Sequence, residues 1–176
     1  SDVGRGLCAD IIAENPGEEY WASDPSGKVF DSKGNVISYV SPSSTNFAIW
    51  WDGDLLRELL DGTTITKFTA PYHQLTAEGC ASNNGTKSTP CLQADILGDW
   101  REEVIWRTID SSELRIYTTT ALTEHRIYTL MHDPVYRLGI AWQNVAYNQP
   151  PHTSFFLGVG MEEPPKPDIY LVEYKK

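Results

Sequence analysis

The stretch Ala94-Asp95-Ile96-Leu97-Gly98-Asp99-Trp100-Arg101-Glu102-Glu103-Val104-Ile105-Trp106 carries the pattern from which the fold is read. Apolar residues lead in, a Gly-Asp turn flanked by carboxylates reverses the chain, and an apolar strand leads out. Residues 9–21 echo it, from Ala9-Asp10-Ile11 through Asn15-Pro16-Gly17 to Glu18-Glu19-Tyr20-Trp21. Residues 48–60 echo it again, from Ala48-Ile49-Trp50 through Asp52-Gly53-Asp54 to Arg57-Glu58-Leu59-Leu60. Aligned on the last carboxylate, the copies fall at Glu19, Glu58 and Glu103, 39 and 45 residues apart. A strand-rich unit recurring at about 40 residues predicts an all-β chain of β-propeller blades, each of about four short strands. Four such blades use up the 176 residues, which makes either a minimal ring or a piece of a larger one.

Working outward, residues 28–30 and 36–39 read as short strands joined by a Ser32-Lys33-Gly34-Asn35 turn. Residues 46–51 form a second inner strand, and residues 56–61 and 64–68 pair across Asp61-Gly62, the most secure hairpin in the chain. From residue 69 to about residue 90 the periodicity breaks, and Asn83-Asn84-Gly85-Thr86-Lys87 lies in a projecting polar loop. Strands resume at 91–94, 113–118 and 154–159. Between the last two, Asp133-Pro134 reads as a helix start. Val135, Leu138, Trp142 and Val145 recur at helical spacing, which predicts a helix over 134–145.

The formal charge of −10 argues against a nucleic-acid partner and suits a chain that gathers hard divalent cations. No apolar run is long enough to span a bilayer, which argues against a membrane partner, and no leader pattern opens the sequence. Of three cysteines, Cys8 reads as a buried thiol in an apolar strand, while Cys80 and Cys91 bracket the polar loop. These two could bridge or stay free, and a bridge would imply an oxidising compartment.

No Ser-His-Asp order, HExxH motif, P-loop or dinucleotide turn is present. The acidic turns are the first chemical candidates. Asp95 with Asp99 and Glu103, Asp10 with Glu19, and Asp54 with Glu58 could share calcium, which takes six to eight loosely arranged oxygens. The same carboxylates could instead solvate the corners of the sheets. The loop around Asn84, Gly85, Thr86 and Lys87, and the segment Ala146-Tyr147-Asn148-Gln149-Pro150-Pro151-His152, combine amides, hydroxyls, a lysine, a phenol and an imidazole, a set suited to sugars.

Longer strings are more specific. His125-Arg126-Ile127-Tyr128-Thr129-Leu130-Met131-His132-Asp133-Pro134, Tyr136-Arg137-Leu138, Ile140-Ala141-Trp142-Gln143-Asn144 and Tyr147-Asn148-Gln149-Pro150-Pro151-His152 resemble the C-terminal region of rhamnogalacturonan lyases of polysaccharide lyase family 11. Gly4-Arg5-Gly6-Leu7, Ala9-Asp10 and Asn83-Asn84-Gly85-Thr86-Lys87 match as well. The resemblance implies an eight-bladed, calcium-binding propeller of which this chain is the last third or so. Residues 1–163 would be about four blades of a larger catalytic domain, and residues 164–176 a Pro-rich tail with a last strand.

It further implies a secreted enzyme that cleaves rhamnosyl–galacturonosyl bonds of pectic rhamnogalacturonan I by β-elimination. Its partners would be that polysaccharide and the remaining blades. Charge building beside the uronate must be neutralised by calcium or an arginine, a role that fits Arg5. Lys87 and Tyr147 would serve as base and acid, in either order, with Asn84, Gly85, Thr86 and Ala146 lining the subsites and His152 near them. A noncatalytic carbohydrate-binding propeller, or a calcium-stabilised interaction propeller, is the alternative.

Overall fold

In the computed structural model, which describes residues 3–69, 72–145 and 148–172, each of the three echoes lies in its own four-stranded antiparallel sheet. The first sheet holds β1 (Gly6–Ala9), β2 (Glu19–Ala22), β3 (Val29–Phe30) and β4 (Val36–Ser38) in chain order. The second holds β5 (Phe47–Ile49), β6 (Glu58–Asp61), β7 (Thr64–Thr66) and β8 (His73–Thr76), also in chain order. In the third, β9 (Cys80–Ala81) and β10 (Leu92–Ala94) pair with one edge of β11 (Glu103–Thr108), and β12 (Leu114–Tyr117) pairs with the other. The carboxylate on which the echoes align opens the second long strand each time: Glu19 faces Ala9, Glu58 faces Ile49, and Glu103 faces Ala94.

Period-two alternation decides what each sheet buries. Leu7, Ala9, Trp21 and Val29 of the first sheet pack against Ala48 and Leu59 of the second. The opposite face of the second sheet, with Phe47, Ile49, Leu60 and Ile65, packs against Val104 and Trp106 of the third. Indole N–H groups tie neighbouring units: Trp21 Nε1 donates to Ser44 O at 2.7 Å, and Trp106 Nε1 to Gly62 O at 2.9 Å. Gly62 takes a positive φ of 61° in the β6–β7 turn, as a tight hairpin requires.

Among the described residues one α-helix, α1 (Pro134–Trp142), forms where the Asp-Pro start predicted it, with Asp133 Oδ1 accepting from Val135 N at 2.9 Å. Its buried side is not the apolar stripe. Val135, Leu138 and Trp142, with Val145 beyond the helix end, are exposed, whereas Tyr136, Gly139 and Gln143 face inward. Polar reach explains the choice. Tyr136 Oη donates to Glu102 at 2.7 Å, Gln143 pairs with Gln93, and Gly139 lets Pro151 approach so closely that an added Cβ would lie 3.0 Å from its Cα.

One question left open by the sequence is answered here, and one expectation is corrected. All three cysteines are free, including Cys80 and Cys91. Cys80 faces Thr108 while the Cys91 N–H bonds Ile105 O, three residues further along β11. That offset is roughly 10 Å of strand, beyond the reach of a disulfide. The argument for an oxidising compartment lapses with the bridge. The segment 154–159 is not a strand; it crosses the end of the sheets irregularly, burying Leu157 beside Trp50 and Trp100, and Val159 N donates to Asp10 Oδ2 at 2.6 Å.

Candidate functional site

The recurring glutamates share one job. Glu19 Oε2 accepts the N–H groups of Ile11 at 2.8 Å and Ile12 at 3.1 Å. Glu58 Oε2 accepts those of Trp51 at 2.9 Å and Asp52 at 3.3 Å. Glu103 Oε2 accepts those of Ile96 at 2.8 Å and Leu97 at 2.9 Å. In each sheet the captured groups stand two and three residues past the strand residue that the glutamate faces. The carboxylate thus closes the turn that leaves the first strand, satisfying backbone donors that would otherwise be orphaned.

The other carboxylates singled out as calcium candidates have unlike surroundings. Asp95 is filled by protein donors: Gly98 N on Oδ1, and Thr129 Oγ1 and Leu130 N on Oδ2, each at 2.8 Å. Asp99 pairs with Arg101 at the surface. Asp10 is buried, and its Oδ1 meets no hydrogen-bond donor among the described residues. Burial pushes the Asp10 carboxyl up to about 7, with the charges of Glu19, Glu18 and Asp54 adding to the rise against the Val159 N–H. Among the described residues, the group whose ligand atoms lie together is Asp52, Asp54 and Glu58, all within 4.8 Å of one another and able to bind a metal ion. Lys67 Nζ sits among them, 2.6 Å from Asp52, 2.6 Å from Asp54 and 3.0 Å from Glu58. Burial would lower the Lys67 ammonium, but the carboxylates around it outweigh burial and push it up, while burial pushes the Glu58 carboxyl up to about 8.

The basic and amide residues lie elsewhere. Arg5 precedes β1, at the end of the first sheet opposite the Glu19 turn. Its Nη1 donates to Asn46 Oδ1 and its Nη2 to Asn148 O, both at 2.6 Å. Burial draws the guanidinium below its usual value, and Asp61 opposes that. The loop between β9 and β10 carries a 3₁₀ turn, Gly85–Lys87, after Asn84 in a left-handed conformation with φ 61°. An Asn83–Thr89 bridge closes its base, Asn84 Nδ2 donates to Thr89 Oγ1, and Arg107 Nε donates to Asn83 Oδ1. Asn84, Gly85 and Thr86 are exposed, and Lys87 is half-buried. Ala146 and Tyr147 lie outside the described residues. Arg5 is bonded to Asn148, so the two residues meet across 143 positions.

His152 turns inward. Its Nδ1 lies 3.3 Å from Arg57 Nη1, and since a guanidinium can only donate, Nδ1 accepts and the ring proton sits on Nε2. Burial first, then the Arg57 charge, pushes His152 down to about 3. Arg57 is fully buried over the Trp50 ring, 4.1 Å from its centroid, and 3.8 Å from the equally buried Glu102. Sequence reasoning passed over Asp52, Arg57, Lys67 and Glu102. Lys67 alone had a usable signal, because the Asp61-Gly62 hairpin register carries it opposite Glu58.

The family model described as rhamnogalacturonan lyase family 11, C-terminal domain, matches residues 1–167. The chain is 66% identical over 173 residues to the rhamnogalacturonan endolyase YesW of Bacillus subtilis (strain 168), covering 96% of itself and 27% of that protein. It is 59% identical to the rhamnogalacturonan exolyase YesX of the same organism, covering 99% of itself and 32% of that protein. The crystal structure of YesW superposes with a TM-score of 0.91 over 97% of this chain and 29% of that one. A Bacillus licheniformis rhamnogalacturonan lyase structure, 63% identical, also gives 0.91, over 97% of this chain and 30% of its own. The chain therefore spans about three-tenths of the length of the relatives it matches.

Proposed function

The chain belongs to rhamnogalacturonan lyase family 11, and on that premise we propose that it is the C-terminal portion of a secreted enzyme that eliminates across a uronic acid in pectic rhamnogalacturonan. Its three sheets are then successive blades of a larger propeller, with the remaining blades as its partner. The reading is supported by face-to-face burial of sheet on sheet through two separate apolar clusters.

β-Elimination removes the proton beside a carboxylate and expels the oxygen one carbon further on. Charge grows on the carboxylate as the proton leaves, so a fixed cation there lowers the barrier. Arg5 supplies one. Its guanidinium stays charged, and Asn46 and Asn148 hold it in place, so little ordering is left for substrate binding to impose. Lys87 takes the proton and Tyr147 protonates the departing oxygen, or the two exchange these roles; the exposed Asn84, Gly85 and Thr86 offer donors and acceptors to neighbouring sugars. Calcium, when bound, would neutralise uronate charge or brace the turns. Its fit differs between turns: the bare buried Asp10 Oδ1 beside Glu19 suits a cation, whereas Lys67 already fills the group at Asp54 and Glu58.

The observation that supports this reading is the Arg5–Asn148 contact, which ties Arg5 to the residue next in sequence to Tyr147. The test joins this chain to the remaining blades of a full-length lyase and follows ultraviolet absorbance of unsaturated uronate on rhamnogalacturonan. Lys87→Ala abolishes the signal with sugar binding largely retained. Turnover that survives the substitution refutes the assignment of Lys87, and binding without any signal in the unsubstituted enzyme favours a noncatalytic module.

A further inference from the structure

We infer that Lys67 is the resident cation of the second acidic turn. Its ammonium stands where a divalent ion would sit between Asp52, Asp54 and Glu58, so this turn folds without metal, and removing the ammonium opens a calcium-class site there. The inference goes beyond the lyase reading and holds whether or not the enzyme eliminates as proposed.

Distance and burial carry it. Three carboxylate oxygens that lie within 4.8 Å of one another converge on a single nitrogen at 2.6, 2.6 and 3.0 Å. The lysine side chain is 6% exposed and Glu58 is fully buried, while Asp54, half-exposed, forms the mouth. Glu58 Oε1 meets no hydrogen-bond donor besides this ammonium among the described residues. The remaining acceptors are spoken for by the turn itself: Trp51 and Asp52 donate to Glu58 Oε2, Asp54 N to Asp52 Oδ1, and Leu56 N to Asp54 Oδ1. A hard divalent cation needs the same oxygens at about 2.3–2.6 Å and would stand within roughly 3 Å of the ammonium, so the two exclude each other.

Comparison of the three turns singles this one out. Continuing the strand registers, the residues opposite the clamping glutamates are Asp31, Lys67 and Thr118. Thr118 answers Glu103 with a hydroxyl, Oγ1 donating to Oε1 at 3.0 Å, and Asp31 brings no positive charge to Glu19. The second turn receives a tethered cation whose occupancy does not depend on metal concentration.

The test is calcium titration by calorimetry, with melting in chelator and in calcium, of the chain, Lys67→Met and Asp54→Asn. Lys67→Met is expected to melt about 10 °C lower in chelator, because it leaves buried carboxylates without their counter-charge. It binds one more calcium per chain than the parent, and calcium restores most of the lost stability. Asp54→Asn, made in the parent, binds as many calcium ions as the parent. The inference is overturned if Asp54→Asn loses a calcium, which would mean that metal and not Lys67 occupies the turn. It is overturned equally if Lys67→Met gains none. Should Lys67→Met fail to fold, the Asp54→Asn stoichiometry still decides. Absence of lyase activity would leave these stoichiometries untouched, so failure of the proposed function is read separately.

Discussion

Replacing Arg57 with methionine tests how the buried polar centre is held. The guanidinium donates to Ala48 O, to Pro151 O at 3.2 Å and to His152 Nδ1 at 3.3 Å, and lies 3.8 Å from Glu102 Oε2. Methionine keeps most of the volume and removes the charge and the donors. Ala48 O retains Gln93 Nε2 at 2.8 Å, but Pro151 O loses its donor, at about 1–3 kcal/mol. Breaking a buried ion pair costs about 3–5 kcal/mol. Here the lower end applies, because Glu102 keeps Trp50 N at 3.0 Å, Gln93 Nε2 at 2.8 Å and Tyr136 Oη at 2.7 Å. The expected loss is about 4 kcal/mol, or about 8–16 °C in Tm. Urea unfolding followed by tryptophan fluorescence reads it. Adding Glu102→Gln removes the stranded charge, so the double variant recovers about 2 kcal/mol relative to the sum of the single losses. Burial already raises the Glu102 carboxyl, and without Arg57 it rises further. A raised carboxyl takes up its proton in the folded state, a contribution present at low pH and lost as pH rises, so Arg57→Met is least damaging in acid. A single-variant loss under about 1 kcal/mol, or strict additivity, would refute the account.

Two further predictions follow from the same geometry. Glu103→Ala orphans the Ile96 and Leu97 N–H groups at a half-wet turn and costs about 2 kcal/mol, whereas Glu103→Gln, which keeps an acceptor, costs less than half of that. Amide exchange at Ile96 and Leu97 accelerates in the alanine variant, and unchanged exchange there would count against the clamp. His152, held down to about 3 in the folded chain, has its stability contribution in full above its ordinary value near 6.5 and loses it as pH falls toward 3. The chain should lose about 2–3 kcal/mol between pH 7 and pH 4 through this group, and His152→Asn should flatten that limb of a urea-midpoint profile.

The sheets were legible because carboxylate spacing marked strand ends, and those ends are where β2, β6 and β11 begin. What the carboxylates do was not legible. A glutamate that captures two backbone N–H groups and one that holds calcium need the same residue at the same spacing after a turn. Only the partners differ, and these come from the local backbone, from Asn15, from Lys67 or from Thr118. The helix was found from its start signal, but its inward face was not. The apolar stripe at 135, 138 and 142 points outward because the sheets below offer buried carboxylate and amide partners rather than apolar surface.

The candidate chemistry depends on that same polar interior. Gln93 and Gln143 exchange backbone and side-chain bonds, Gln93 N to Oε1 at 2.8 Å and Gln143 Nε2 to Gln93 O at 2.9 Å. Asn148 Nδ2 then donates to Gln143 O, and Arg5 to Asn148 O. At the far end of the segment, Arg57 holds Pro151 O and His152. Gln143, Asn148, Pro151 and His152 are thus held by Gln93 of β10, by Arg5 just before β1 and by Arg57 just before β6. Apart from the Asn148–Gln143 bond, these contacts join residues 50 or more positions apart, and none shows a period that a linear reading could detect. Residues held this way are positioned by buried hydrogen bonds rather than by apolar packing. Their geometry therefore responds to loss of a single polar partner more sharply than to trimming of a core methyl.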